Sequence, residues 1–267
     1  MTRLDLDTPY MLAEADAGIG WMTFNNPERR NAMKLEMNEA IAQILAEWSA
    51  DEAVRVVVMQ GAGDKAFVSG ADISEFETHR STPEGRAHFD AVSAAAGKAM
   101  ATFEKPLIAK IRGFCMGGGL ATALAADIRV SANDGQFAIP AARLGLGYGF
   151  PGIKKLTGLV GPAMVSEIMM SARRFTADEA LAMGLVNRVV AVDALDATVI
   201  ELAEQIAANA PMTVRAAKAA VVEATKDPDQ RDVARVDDLV EQCFMSEDYI
   251  EGRRAFMEKR TANFVGR

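Results

Sequence analysis

The chain has 267 residues, half of them hydrophobic and a quarter charged, which suits a globular protein with a sizeable core and excludes a disordered or fibrous chain. A formal net charge of -8 excludes the broad cationic footprint that a nucleic-acid backbone requires, so any anionic ligand must be held by local cations and backbone amides. Two cysteines, Cys115 and Cys243, and two histidines, His79 and His88, are too few for a disulfide framework or a four-ligand zinc centre; reduced thiols and no metal are expected.

The opening MTRLDLDTPYMLAEAD is too acidic and too interrupted for a signal or transit peptide. No apolar run approaches the roughly 18 residues of a membrane span, and a cytoplasmic protein is expected. Residues 10–24 set a glycine-containing turn between two apolar stretches, as a β-hairpin would. NNPERRNAM reads as the start of a helix. From residue 34 to 48, Leu35, Met37, Ile41, Ile44, Leu45 and Trp48 recur at spacings near three and four, the amphipathic-helix period. VRVVVMQG then has the continuous hydrophobicity of a strand covered on both faces. The same unit returns as PLIAKI, a buried strand; GFCMGGG, a tight turn; LATALAAD, a small-residue helix; and IRVSA, the next strand. This alternation predicts an α/β fold with crossover helices on a mainly parallel sheet. Beyond Val192 the strand runs stop, and helices are predicted over 194–208, 212–224, 233–245 and 249–259. Residues 1–192 therefore read as a core and 193–267 as a helical region whose apolar stripes need cover from that core or from another subunit; oligomerisation is expected.

The strongest chemical signal is GGG at 117–119, between a buried strand and a helix of small residues. Glycines admit a ligand close to the backbone, and the first amides of a helix have no intrahelical acceptor, so they can donate to an anion. The competing explanation is a tight strand–helix packing turn. AFVSGADI at 66–73 is the second signal: an amide near Gly70 and Ala71 can converge with the first on one oxygen, as acyl and enolate chemistry needs. Alone it also reads as a strand exit with Asp72 capping the next turn. Gly147, Gly149 and Gly152 have the dinucleotide-binding spacing, but no clean strand precedes them, Pro151 interrupts the loop and no acidic residue follows about 20 positions on. Cys115 has no histidine nearby in sequence and reads as core, and His79 and His88 as loop histidines without an HExxH pattern. Tyr148, among glycines, is either a phenol offered to a pocket as a proton donor or a ring that merely packs on the loop.

Taken together, NNPERRNAM, KAFVSGADISEF, CMGGGLATALAADIRVS, FAIPAARLGL and SEDYIEGRRAFMEKRTANF resemble the crotonase, or enoyl-CoA hydratase/isomerase, superfamily, in order and over nearly the whole chain. The resemblance implies a spiral of ββα units, a C-terminal helical region that builds trimers, and commonly a hexamer of two trimers. It implies an acyl thioester of coenzyme A as substrate, with no other cofactor, and an oxyanion hole made by the amides of Ala71 and Gly118. Arg30 and Ala32 match contacts to the nucleotide end of coenzyme A, Ser69, Asp72 and Ile73 match the lining of its thiol end and adenine, and Lys259 matches a lysine reaching a neighbouring subunit's nucleotide. Family hydratases carry two glutamates where this chain has Ala121 and Ala141. A methyl group cannot move a proton, and losing such general acid–base catalysis typically costs on the order of a hundredfold to ten-thousandfold in rate. That favours a decarboxylase or another lyase acting on a malonyl-type thioester, since decarboxylation makes the enolate without a base. Two rivals stay open: an atypical hydratase or isomerase recruiting His88, Tyr148 or Glu75, and a non-catalytic acyl-CoA binding subunit. LGLGYGFPGI and the C-terminal segments further resemble the methylmalonyl-CoA decarboxylase branch, whose loop tyrosine falls at Tyr148; that branch has histidine at the position of Ala71 and an acid at that of Ala121.

Overall fold

A computed structural model describes residues 1–72, 74–75 and 81–267. The N-terminal strands β1 (Thr2–Arg3), β2 (Met11–Asp16) and β3 (Ile19–Phe24) form an antiparallel meander. The β2–β3 turn places both Ala17 and Gly18 at positive φ, 49° and 84°, the twist that two-residue hairpins favour. Helix α1 (Leu35–Ala50) then crosses to β4 (Val56–Gly61), which lies parallel to β3. β6 (Leu107–Ile111), β8 (Ile128–Ala132) and β11 (Arg188–Val190) extend the same sheet in parallel, giving the order β1-β2-β3-β4-β6-β8-β11.

A second sheet is built from short strands: β5 (Ala66–Val68), β7 (Phe114–Met116), β9 (Gln136–Ala138) and β10 (Phe175–Thr176), in the order β10-β9-β7-β5. The chain visits the two sheets alternately. β4 and β5 lead to α2 (Pro83–Thr102), β6 and β7 to α3 (Gly118–Ala125), and β8 and β9 to a 3₁₀ turn (Pro140–Leu144), α4 (Phe150–Val160) and α5 (Pro162–Ser171). This is the repeating ββα spiral. Helices α6 (Ala177–Ala182), α7 (Leu195–Ala207), α8 (Pro211–Ala224), α9 (Val233–Met245) and α10 (Glu247–Glu258) complete the chain.

The hydrophobicity of VRVVVMQG has a direct cause. Val57 and Met59 enter the larger core with Phe24, Trp48 and Phe67, whereas Val56 and Val58 pack with Ile19, Ile108, Val130 and the α7 residues Leu195, Val199 and Leu202 on the other face. A central strand with both faces covered needs no polar alternation. All six periodic residues of α1 are buried.

Three predicted features differ. NNPERRNAM does not start α1: Pro27–Arg29 is an isolated 3₁₀ turn, and Arg30 and Asn31 follow at φ 53° and 56°, so the helix cannot continue until Leu35. GFCMGGG is not all turn, because Phe114–Met116 pairs in parallel with β9 and, with a register shift, with β5. His88 stands on an exposed face of helix α2 rather than in a loop, and His79 lies outside the described residues. The C-terminus is tied back onto the core by Arg55, whose guanidinium donates to the carbonyls of Ala207 (3.0 Å) and Phe264 (2.7 Å).

Candidate active site

Strand β7 ends at Met116, and Gly117 turns the chain with φ 50° and ψ −115°, a conformation that a side chain would strain. The Gly117 amide donates to the Ala138 carbonyl at 2.8 Å, and its own carbonyl accepts from Ala121 to open α3. Gly118 is thus the first helical residue, with an amide that has no intrahelical acceptor. Gly119 is fixed by contact: a Cβ there would strike the Val68 carbonyl, so α3 begins with its backbone against β5.

The second donor follows from alternation along an extended segment. The Gly70 carbonyl accepts from the Met33 amide, and the Asp72 amide donates to the Met33 carbonyl, both at 2.8 Å. Two bonds to one side leave the intervening Ala71 amide facing the other. That other side is Gly118: a Cβ built on Gly118 would lie 3.8 Å from the Ala71 nitrogen. Among the described residues neither amide has an acceptor, so two adjoining donors are available to one oxygen.

Behind this pair stands a residue that the sequence did not single out. Asn31 is fully buried; its side-chain oxygen accepts from the Asn26 amide at 3.0 Å, and its amide nitrogen donates to the carbonyls of Ala62 (3.0 Å) and Ala66 (2.8 Å). It thereby joins the loop after β3 to both ends of the β4–β5 connection. The available signal was an asparagine after Arg-Arg in a Pro-containing turn, since asparagine tolerates left-handed backbone. Ser69 donates its amide to Arg30 and its hydroxyl to the Arg29 carbonyl, at 3.1 and 3.3 Å. Ala32 and Asp72 are buried, and Asp72 accepts from the amide and hydroxyl of Ser74, capping the next turn. Arg30 is exposed beside these residues. Ile73 lies outside the described residues. Lys259 ends α10 at φ 54°, exposed.

At the two positions that the resemblance gives to glutamates the side chains are methyl groups. Ala121 lies on α3 three residues after Gly118 and is exposed, whereas Ala141 is buried in the 3₁₀ turn whose first residue, Pro140, approaches within 3.9 Å of a Cβ built on Gly117. Glu75 is not free to replace a missing acid. One of its oxygens accepts from the Leu35 amide at 2.9 Å, closing the N-terminus of α1, and the other lies 4.0 Å from the Lys34 ammonium. His88 is committed to the solvent face of α2. Tyr148 is half-buried against the core, and its ring covers Gly152, where a Cβ would lie 2.7 Å from Cε1. Burial raises the phenol above its ordinary value, so it remains protonated at neutral pH. Its hydroxyl has no hydrogen-bond partner among the described residues.

The Gly147, Gly149 and Gly152 spacing follows a 3₁₀ turn rather than a strand, which removes the geometry a dinucleotide site needs. Cys115 is fully buried, and burial pushes its thiol up, away from nucleophilic use; Cys243 is a free, half-buried thiol. Among the described residues no group of three or more metal-ligating side chains occurs, and no helix is long and apolar enough to cross a membrane.

Comparison with known proteins bears on the same geometry. Residues 14–267 match the family model described as enoyl-CoA hydratase/isomerase. A short-chain-enoyl-CoA hydratase of Clostridium acetobutylicum is 34% identical over 94% of this chain and 95% of its own length. A carnitinyl-CoA dehydratase of Citrobacter koseri is also 34% identical, over 92% and 94%. The crystal structure of an enoyl-CoA hydratase/carnithine racemase from Magnetospirillum magneticum superposes with a TM-score of 0.90 at 36% identity, covering 98% of this chain and 97% of that one.

Proposed function

Since the chain belongs to the enoyl-CoA hydratase/isomerase family, the crotonase superfamily, and processes acyl-CoA, we propose that it forms a thioester enolate held by the amides of Ala71 and Gly118, by decarboxylating a malonyl-type thioester. The observation that carries this reading is the pair of methyl groups at Ala121 and Ala141 beside the two free amides. With no carboxylate at either position, neither residue can remove a proton from the substrate or orient a water for attack. Loss of carbon dioxide needs neither. The bond between the α-carbon and the carboxylate breaks, its electron pair moves onto the thioester oxygen, and the two N–H groups stabilise the charge as it develops. Methyl groups at these two positions also avoid repelling the substrate carboxylate, as two glutamates would. The α-carbon then takes a proton, for which the protonated, otherwise unpartnered Tyr148 phenol is the proposed donor.

Ser69, Asp72 and Ile73 are proposed to line the thiol end and adenine of coenzyme A, with Arg30 and Ala32 at its nucleotide end. The exposed apolar side chains of α9 and α10, including Phe244, Ile250, Phe256 and Met257, fit a homotrimer or a hexamer of two trimers in which Lys259 reaches a neighbour's nucleotide. In this reading residues 1–192 form the catalytic core and 193–267 the assembly region. A second reading, reversible hydration, is favoured by relatives named as a hydratase and a dehydratase at 34% identity. Carbon dioxide release from malonyl-CoA and methylmalonyl-CoA, measured beside absorbance loss from crotonyl-CoA, separates the two. Release from a malonyl thioester is expected; hydration alone, with no release, overturns decarboxylation.

A further inference from the structure

Two arginines adjacent in sequence behave differently. Arg173 is neutralised: its guanidinium contacts Glu167 at 2.7 Å and Glu179 at 2.8 Å and stacks on Phe175. Arg174 has no carboxylate within 4 Å among the described residues and lies instead over the ring of Phe114, 5.3 Å from its centroid. The same ring carries a second guanidinium, that of Arg30, at 4.9 Å, which also has no carboxylate within 4 Å among the described residues. The fold makes this convergence, because Phe114 opens β7, β9 pairs with β7, and Arg174 immediately precedes β10 on the far side of β9. Arg30 arrives from the left-handed turn whose carbonyl holds Ser69, two residues before Ala71. Beside it runs a groove of about 280 Å³ lined by Arg30, Asn31 and Lys65 and, as its acidic members, Glu28 and Asp64. Neither carboxylate lies within ion-pair distance of either guanidinium.

Two like charges gathered on one ring repel, and the ring's attraction for each offsets this only in part. An anion relieves it, and planar guanidinium forks match phosphate oxygens better than any other side chain does. We infer that Arg174 and Arg30, assembled on Phe114, form a phosphate-binding pair that holds a phosphate of the coenzyme A moiety. This rests on the acyl-CoA reading above and assigns Arg174, which neither composition nor motif had marked, as a substrate-binding residue of this chain.

The test is isothermal titration calorimetry of the full-length protein and its Arg174→Ala and Arg174→Lys variants, with coenzyme A and with an acyl-pantetheine that lacks every phosphate. Arg174 is exposed and bears no structural ion pair, so the variants should keep the wild-type thermal midpoint. Loss of one charge-assisted phosphate contact should weaken coenzyme A about tenfold to a hundredfold in Arg174→Ala, and less in Arg174→Lys, with acyl-pantetheine unchanged. Unchanged coenzyme A binding in Arg174→Ala, or equal losses for both ligands, overturns the inference alone. A wild-type protein that ignores coenzyme A overturns both the inference and the acyl-CoA reading.

Discussion

The chain has two glycine-rich segments, 117–119 and 145–152, and they are built to opposite ends. In the first, two glycines are required by the fold, Gly117 by its positive φ and Gly119 by the Val68 carbonyl, while a Cβ on the intervening Gly118 would make only an ordinary contact 3.8 Å from the Ala71 nitrogen. In the second, Gly145 closes the 3₁₀ turn at φ 64° and Gly152 is constrained by the Tyr148 ring, whereas a Cβ added at Gly147 would meet nothing within 4 Å and one at Gly149 only Pro151. Glycine spacing therefore does not identify a site. A strand end, a helix start and a neighbouring backbone do, because together they leave donors without acceptors.

That contrast is open to attack by substitution. The largest effect is expected from Gly119→Ala, which drives a methyl into a backbone carbonyl that cannot rotate away; a loss of at least about 3 kcal/mol in urea unfolding is predicted, and a loss under about 1 kcal/mol means α3 and β5 are not in backbone contact. Next comes Gly118→Pro. Proline is tolerated at the first position of a helix, so stability should change little while one oxyanion donor disappears; turnover should fall about a hundredfold or more. Retained turnover would remove Gly118 from the chemistry.

Gly152→Ala should be milder, because a side-chain ring rather than a backbone must give way; about 1 kcal/mol is expected, with turnover reduced if the displaced ring is the proton donor. The pH profile sharpens this point. A donor phenol must be protonated, and burial raises its pKa, so activity should persist to about pH 10 and fall only above the ordinary tyrosine range; Tyr148→Phe should abolish that high-pH limb. A limb near neutral pH in the wild type would exclude Tyr148. At the small end, Gly147→Ala should be neutral or stabilising by about 0.5 kcal/mol in the same unfolding assay, because it restricts the unfolded chain and meets nothing in the folded one.

What the sequence disclosed followed from length. Helix α1 spans 16 residues and carries its period in six buried side chains, and β4 announces its two covered faces. The strands of the second sheet have two or three residues each, too few for any period to register, so Phe114–Met116 passed for a turn. The amide pair was legible as two separate glycine motifs, but its convergence depends on Met33, whose part is played entirely by backbone. Asn31 and Arg174 were not legible, because each acts through partners brought near by the fold. Glu75 looked available in sequence, and only the structure shows it spent on the N-terminus of α1.

In the proposed chemistry Ala71 and Gly118 polarise a thioester carbonyl, whichever bond is then broken. Difference infrared spectroscopy of a bound acyl-CoA, with the thioester carbonyl labelled with ¹³C, reads that polarisation directly. The carbonyl band should shift to lower frequency on binding to the wild type and return towards its solution position in Gly118→Pro. A thioester that binds with its carbonyl frequency unchanged, or that shifts equally in both proteins, would contradict it.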